Sequence, residues 1–290
     1  MPLGVTAVML PELDFGQQIA LCVEIGITHY CLRPRVIPRS ERGKPFSNWG
    51  NHKFDLTPDR LLDEAKQIRD QLDDAGLVPY ATLPQVCTDG DNDEFKRHFD
   101  GAATVGVQCV RVSPKPYPEG IFDYPTMLNE VVMQFGRILG MARPYGLKIV
   151  IETHNRGLAC SPALAWNICR HYEPSEIGVI LDLPNFAIEG EIAPALGVSV
   201  LAPYIDHCHI GGCRRVDRGR SDDGLRRIER DMCPLSDSDL PVADWLRMLV
   251  EADLHVPLII EDFTPELAGS QRLRDTATKL RRLLEVRNPG

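Results

Sequence analysis

Short apolar runs alternate with amphipathic stretches along the whole chain. The runs fall at residues 5–10, 30–32, 77–82, 109–112, 147–152, 177–181, 204–209 and 256–261. Each is apolar on both faces and rich in β-branched residues, the pattern of a parallel strand covered on both sides. Between them, residues 57–75, 124–145, 241–252 and 265–287 show the helical repeat most clearly. Thr57-Pro58 provides a cap and a first-turn proline for the first of these helices. Gly26, Gly76 and Gly146 stand where helices should stop before the next strand. Eight strand–helix alternations in 290 residues predict an α/β fold, a (β/α)8 TIM barrel forming a single domain over 1–290. An open doubly wound sheet is the competing architecture. No glycine-rich phosphate loop follows the first run, which removes the usual reason for choosing it.

Two segments break the rhythm. Residues 33–56 are rich in Arg, Pro and Asn and include Trp49 and His52; residues 211–240 open Gly-Gly-Cys-Arg-Arg and become densely charged. Both are read as long loops at the C-terminal face, where barrels of this kind assemble active sites.

Composition narrows the class. A chain 43% hydrophobic and 25% charged, with no apolar run long enough to cross a bilayer, fits a globular protein rather than a disordered or membrane one. Met1-Pro2-Leu3-Gly4 lacks the basic and apolar regions of a secretory signal, so the cytoplasm is the expected location. Nine scattered cysteines without a C-x-x-C pair indicate neither a disulfide framework nor a thiolate zinc module. The net charge of −9 argues against a nucleic-acid partner and fits a small polar substrate better.

Four of the runs end in chemistry. The fifth runs into Glu152-Thr153-His154-Asn155 and the sixth into Asp182-Leu183-Pro184-Asn185. The seventh ends His207-Cys208-His209-Ile210-Gly211-Gly212, and the eighth Glu261-Asp262. A lone strand-end Glu is more often a salt-bridge residue, and a lone His more often a satisfied core histidine. Closing the barrel puts these four termini side by side on one rim. Three carboxylates gathered there repel strongly unless a cation neutralises them. Oxygen-rich ligation with one imidazole suits Mn2+ first, with Mg2+, Co2+ or Zn2+ as alternatives. His207 shares a face with His209 but lies deeper, which favours packing or a supporting hydrogen bond.

These strand ends resemble the xylose isomerase-like barrel superfamily, the sugar phosphate isomerase/epimerase group. The resemblance implies one divalent ion held by Glu152, Asp182, His209 and Glu261. His209-Ile210-Gly211, with Arg215 six positions after the His, is similar to the ketose 3-epimerase branch, where an Arg at that offset contacts substrate. Two positions depart from the branch: Asn185 stands where it has His, and Gly212 where it has Glu. The implied substrate is a keto-sugar or related polyol carbonyl compound, isomerised or epimerised through an enediolate, with Glu152 and Glu261 transferring protons. His154 is then a substrate contact or a base, Asn185 an amide contact, Trp49 an apolar wall and Arg215 a substrate clamp.

The rival reading on the same scaffold is elimination, as in barrels resembling 3-dehydroshikimate dehydratase or C-glycoside deglycosylating lyases, with His154 as base. A nuclease resembling endonuclease IV needs further His and carboxylate ligands and a basic face, which this sequence does not offer. A non-catalytic barrel leaves the four rim residues without a purpose. No membrane partner is expected, and a homodimer or homotetramer is in keeping with the barrel habit.

Overall fold

The alternation of apolar runs with amphipathic stretches closes into the predicted barrel. A computed structural model describes residues 1–265 and 267–285. Its strands are β1 (Leu3–Thr6), β2 (His29–Leu32), β3 (Val78–Thr82), β4 (Cys109–Arg111), β5 (Lys148–Glu152), β6 (Ile177–Asp182), β7 (Ile205–Ile210), β8 (Gly212–Arg220), β9 (Arg226–Cys233) and β10 (Leu258–Ile260). All but β8 and β9 form a closed parallel barrel in the order β1-β10-β7-β6-β5-β4-β3-β2. The strands carrying Glu152, Asp182, His209 and Glu261 are therefore consecutive around the ring, as predicted.

Gly26, Gly76 and Gly146 adopt the left-handed conformation, with φ of 74°, 69° and 68°, and end helical segments as read from the sequence. Several boundaries differ. The first run ends as a strand at Thr6 and continues as a 3-10 turn over Ala7–Met9. The helix expected over 57–75 breaks at Glu64 (φ −103°, ψ 6°) into Pro58–Asp63 and Ala65–Asp74. The last helix is Gly269–Glu285, and positions 266, 286 and 287 of the predicted span lie outside the described residues.

The segment 211–240 is not the loop expected. Most of it is an antiparallel hairpin, β8 on β9, turning through Gly224 (φ 83°). Its strands are mostly charged on both faces, so no hydrophobic period marks them as strands. The Asp223-Gly224 turn signal was the one local clue.

Inside the barrel, side chains alternate in layers. Cys31, Cys109, Val150, Ile180 and Ile259 form a buried apolar layer, joined by the fully buried His207. Beneath it sits a polar knot around Asp206. Lys148 Nζ lies 2.9 Å from one Asp206 oxygen, while Tyr80 OH and His207 Nδ1 donate to the other at 2.9 and 2.8 Å. Gly178 makes room for this pair: a Cβ there would lie 2.8 Å from Lys148 Cε and 3.0 Å from Asp206 Cβ. A larger apolar core packs the outer strand faces against the helices, including Phe95, Phe99, Phe135 and Trp245. Among the described residues no single helix is long and apolar enough to cross a membrane.

Candidate metal centre and active site

Two residues further along most strands from the apolar layer, the barrel's upper interior is largely polar, with the buried Leu83 past β3 an exception. Stepping two residues along each strand from Cys31, Cys109, Val150, Ile180, His207 and Ile259 reaches Arg33, Arg111, Glu152, Asp182, His209 and Glu261. All six are at least 90% buried by side chain or residue area. His209 Nδ1 lies 2.8 Å from Glu261 Oε2, 3.2 Å from Glu152 Oε1 and 3.4 Å from Asp182 Oδ2. One ligand atom from each of the four residues falls within 4.8 Å of all the others, so the group could hold a metal ion.

The donor set fits a divalent cation. Arg111 Nη1 ion-pairs with Glu152 Oε2 and neutralises one of the three carboxylates. With Asp182 ionised and His209 neutral, two carboxylate charges remain, which a divalent cation would balance. A second group, Cys109, Asp206 and His207, also has ligand-like spacing, but Lys148 and Tyr80 already engage both Asp206 oxygens.

Local structure fixes these donors. Asp182 caps the helix Leu183–Glu189, its Oδ1 accepting from Asn185 N–H at 2.8 Å, which leaves Oδ2 for the centre. Thr153 Oγ1 accepts from Asp182 N–H at 2.9 Å and ties strand ends β5 and β6 together. Burial opposes ionisation of Glu152, yet Arg111 and then His209 outweigh it and hold the carboxyl well below its usual range. Burial likewise raises Glu261, but His209 outweighs it and the net shift is downward. Asp182 has no such guanidinium; burial, with Glu152 and Glu261 adding to it against His209, pushes it up to about 7. Burial lowers His209, and Glu261 with the other carboxylates reverses this and raises it well above its ordinary value.

Ligation needs Asp182 ionised and His209 Nδ1 unprotonated, so an incoming cation must displace protons that both residues retain near neutrality. Apparent affinity for Mn2+ is expected to rise from about pH 6 to 8, by roughly tenfold per unit for each proton displaced. Competition titrations at both ends of that window read it directly. A flat affinity contradicts the ligand assignment.

Above the centre opens a cavity of about 790 Å3. Of the residues singled out in the sequence, Glu152, Glu261, His154, Asn185 and Trp49 line it. His154 is exposed at the cavity, and its Nδ1 donates to the Asn155 carbonyl at 2.8 Å, leaving Nε2 as the basic nitrogen. Trp49 packs on Phe263 (ring centroids 5.0 Å apart) and is held there by Arg35, whose guanidinium donates to the carbonyls of Trp49 and Gly50. Arg215 is not brought to the cavity. Asp239 Oδ2 accepts from its N–H at 2.8 Å and from its Nε at 3.3 Å, and the side chain is 58% exposed. The hairpin's lining residue is Met232, on the facing strand. At Gly212 a Cβ would lie 2.2 Å from the Cys233 carbonyl oxygen, so the hairpin excludes the Glu of the ketose 3-epimerase pattern.

Sequence reading missed Arg111. The signal was there: an Arg inside a valine run needs an anion beside it if it is buried. Arg33 opens the Arg-rich segment 33–56. It is buried, donates from Nη1 to the Leu83 carbonyl at 2.5 Å, and stands 5.9 Å from the Trp49 ring centroid.

The sequence matches the family model described as xylose isomerase-like TIM barrel over residues 43–285. No curated protein matches the chain in sequence. Among solved structures it is similar to IOLI protein with a binding zinc atom, at TM-score 0.75 and 17% identity, covering 99% of each chain. It is also similar to a probable 3-DHS dehydratase, AsbF, from Bacillus anthracis, at TM-score 0.71 and 14% identity, covering 97% of this chain and 99% of that one. A third is the 3-keto-D-glucoside 4-epimerase YcjR from E. coli, at TM-score 0.68 and 14% identity, again covering 97% and 99%. Identities this low establish the shared fold and nothing finer.

Proposed function

The chain belongs to the xylose isomerase-like TIM barrel family, and on that premise we propose that it is a divalent-metal-dependent isomerase or epimerase of a keto-sugar or related polyol carbonyl compound. The observation that carries this reading is the convergence of Glu152, Asp182 and Glu261 on His209 Nδ1 at the floor of an open cavity. Mn2+ is the ion we assign first, by its oxygen-rich donor set.

A bound divalent ion supplies Lewis acidity toward a carbonyl and its neighbouring hydroxyl, and stabilises the charge that develops when the adjacent C–H proton leaves. The side chains divide the remaining work. Arg111 fixes Glu152 in its charged form and weakens it as a base. Glu261 lies across the ring on β10's end, lines the cavity and pairs with no guanidinium among the described residues, so it takes the C–H proton. His154, carrying a proton on Nε2, returns it on another side of the planar intermediate and is left neutral, which inverts the centre. Asn185, its backbone committed to Asp182, offers its side-chain amide to a substrate hydroxyl.

A second reading draws on His154. A base two residues beyond Glu152, at the cavity mouth, equally serves elimination, in which the same proton leaves and a β substituent departs. One experiment separates the two. The Mn2+-loaded protein is incubated with ketohexoses and 3-keto-glycosides in D2O and followed by proton NMR and ultraviolet absorbance. Isomerisation or epimerisation gives deuterium at the carbon next to the carbonyl with no new conjugated chromophore. Glu261→Gln is expected to slow that exchange by about 10²–10⁴-fold. Growth of an enone absorbance assigns the lyase reaction instead, and no exchange with any ketose removes the proposal.

A further inference from the structure

The geometry points to an oxyanion subsite at Arg33, so that the substrate of this centre carries a negatively charged group of the carboxylate class. This rests on the metal-centre reading above and adds the substrate's charge to it.

The argument is one of charge balance in a buried layer. With a divalent cation in place and His209 neutral, the ion and Arg111 together cancel Glu152, Asp182 and Glu261. Arg33 is then left over. It is only 9% exposed, no described carboxylate stands within ion-pair distance of it, and the two whose charge reaches it, Glu152 and Glu261, are the ion's proposed ligands. Nη1 is used by the Leu83 carbonyl, while Nε is buried without any hydrogen-bond partner. Arg111 Nε is buried and unpartnered as well, and both arginines line the cavity. A guanidinium is held charged at neutral pH and keeps a planar fork of donors. Leaving that fork desolvated and uncompensated is costly unless a ligand supplies the anion.

The surroundings favour a planar oxyanion. Trp49 flanks the Arg33 guanidinium, its ring centroid 5.9 Å away, and Gln85 brings an amide to the same cavity. A carboxylate can take two parallel N–H donors from such a fork. The other arginine on this cavity, Arg156, is exposed and pairs with Glu119 at 3.3 Å, so the free cationic character of the site is concentrated at Arg33.

The test uses protein shown by elemental analysis to carry its metal, titrated calorimetrically at fixed ionic strength with formate, formamide and inorganic phosphate. Formate is expected to bind about tenfold or more tightly than neutral formamide. Arg33→Gln should abolish that preference while metal content stays unchanged, and Arg33→Lys should retain part of it. Phosphate outcompeting formate would make the charged group a phosphate rather than a carboxylate. Equal binding of formate and formamide, no anion binding at all, or a preference that survives in Arg33→Gln overturns the subsite. A chain without metal instead overturns the centre, so the two failures are read separately.

Discussion

Asp182→Asn is expected to leave the barrel folded but to reduce bound divalent metal from about one ion per chain to a small fraction, with turnover falling on the order of 10³-fold. The substitution isolates charge from architecture. Asp182 Oδ1 caps the helix Leu183–Glu189 by accepting from Asn185 N–H at 2.8 Å, and an Asn oxygen can do the same. What disappears is the anion at Oδ2, 3.4 Å from His209 Nδ1. Glu152→Gln removes a ligand too, but strands Arg111 as a buried unpaired cation, which costs about 3–5 kcal/mol of stability and confuses the reading. Elemental analysis and thermal melts with and without Mn2+ give the answer. Ligand occupancy at a hundred times Kd stabilises a fold by ~2.7 kcal/mol, so the wild-type melting shift should be plain and the variant's nearly absent. Stoichiometric metal and an unchanged melting shift in Asp182→Asn would remove the residue from the centre.

The four proposed ligands were legible because each interrupts an apolar run at the same end of consecutive strands. Nothing in a soluble core tolerates Glu152, Asp182, His209 and Glu261 there singly, and barrel closure makes them neighbours. Arg111 and Arg33 obey the same two-residue parity, but an arginine at a strand end reaches water as readily as it lies buried, so its role as a balancing cation shows only in the closed barrel. Arg215 shows the opposite failure. Its offset from His209 matched a family pattern, but the hairpin that carries it is a tertiary feature, and Asp239 captures the side chain. The hairpin itself stayed hidden because its strands owe their pairing to backbone hydrogen bonds and cross-strand charge pairs such as Arg218 with Glu229, which leave no hydrophobic period to read. Trp49 reaches the cavity through Arg35's grip on its carbonyl, a contact no local pattern announces.

A large stability effect is also expected in the barrel's lower interior, at Asp206. Its carboxylate is the hub of the barrel's lower interior, with Lys148 at 2.9 Å and hydrogen bonds from Tyr80 and His207. Asp206→Asn leaves Lys148, three-quarters buried, facing a neutral amide in a pocket that Gly178 has opened for an ion pair. A loss of about 3–5 kcal/mol is expected. For a chain of this size that lowers the melting temperature by roughly 5–8 °C. The acid dependence has a definite sign. Burial raises the Asp206 carboxyl, but the His207 hydrogen bond and Lys148 outweigh it and depress its pKa below the ordinary value of 3.8. The pair's contribution is therefore complete above about pH 4 and is lost as pH falls through the depressed folded value. Wild type should lose stability steeply below pH 4 while Asp206→Asn, already lacking the term, shows a shallower acid slope. Chemical denaturation at pH 7 and at pH 3.5 measures both. A variant that keeps wild-type stability at pH 7 would show that the knot contributes little to folding. Pairing it with Lys148→Met then tests the ion pair itself, because removing both charges should recover part of what Asp206→Asn alone loses.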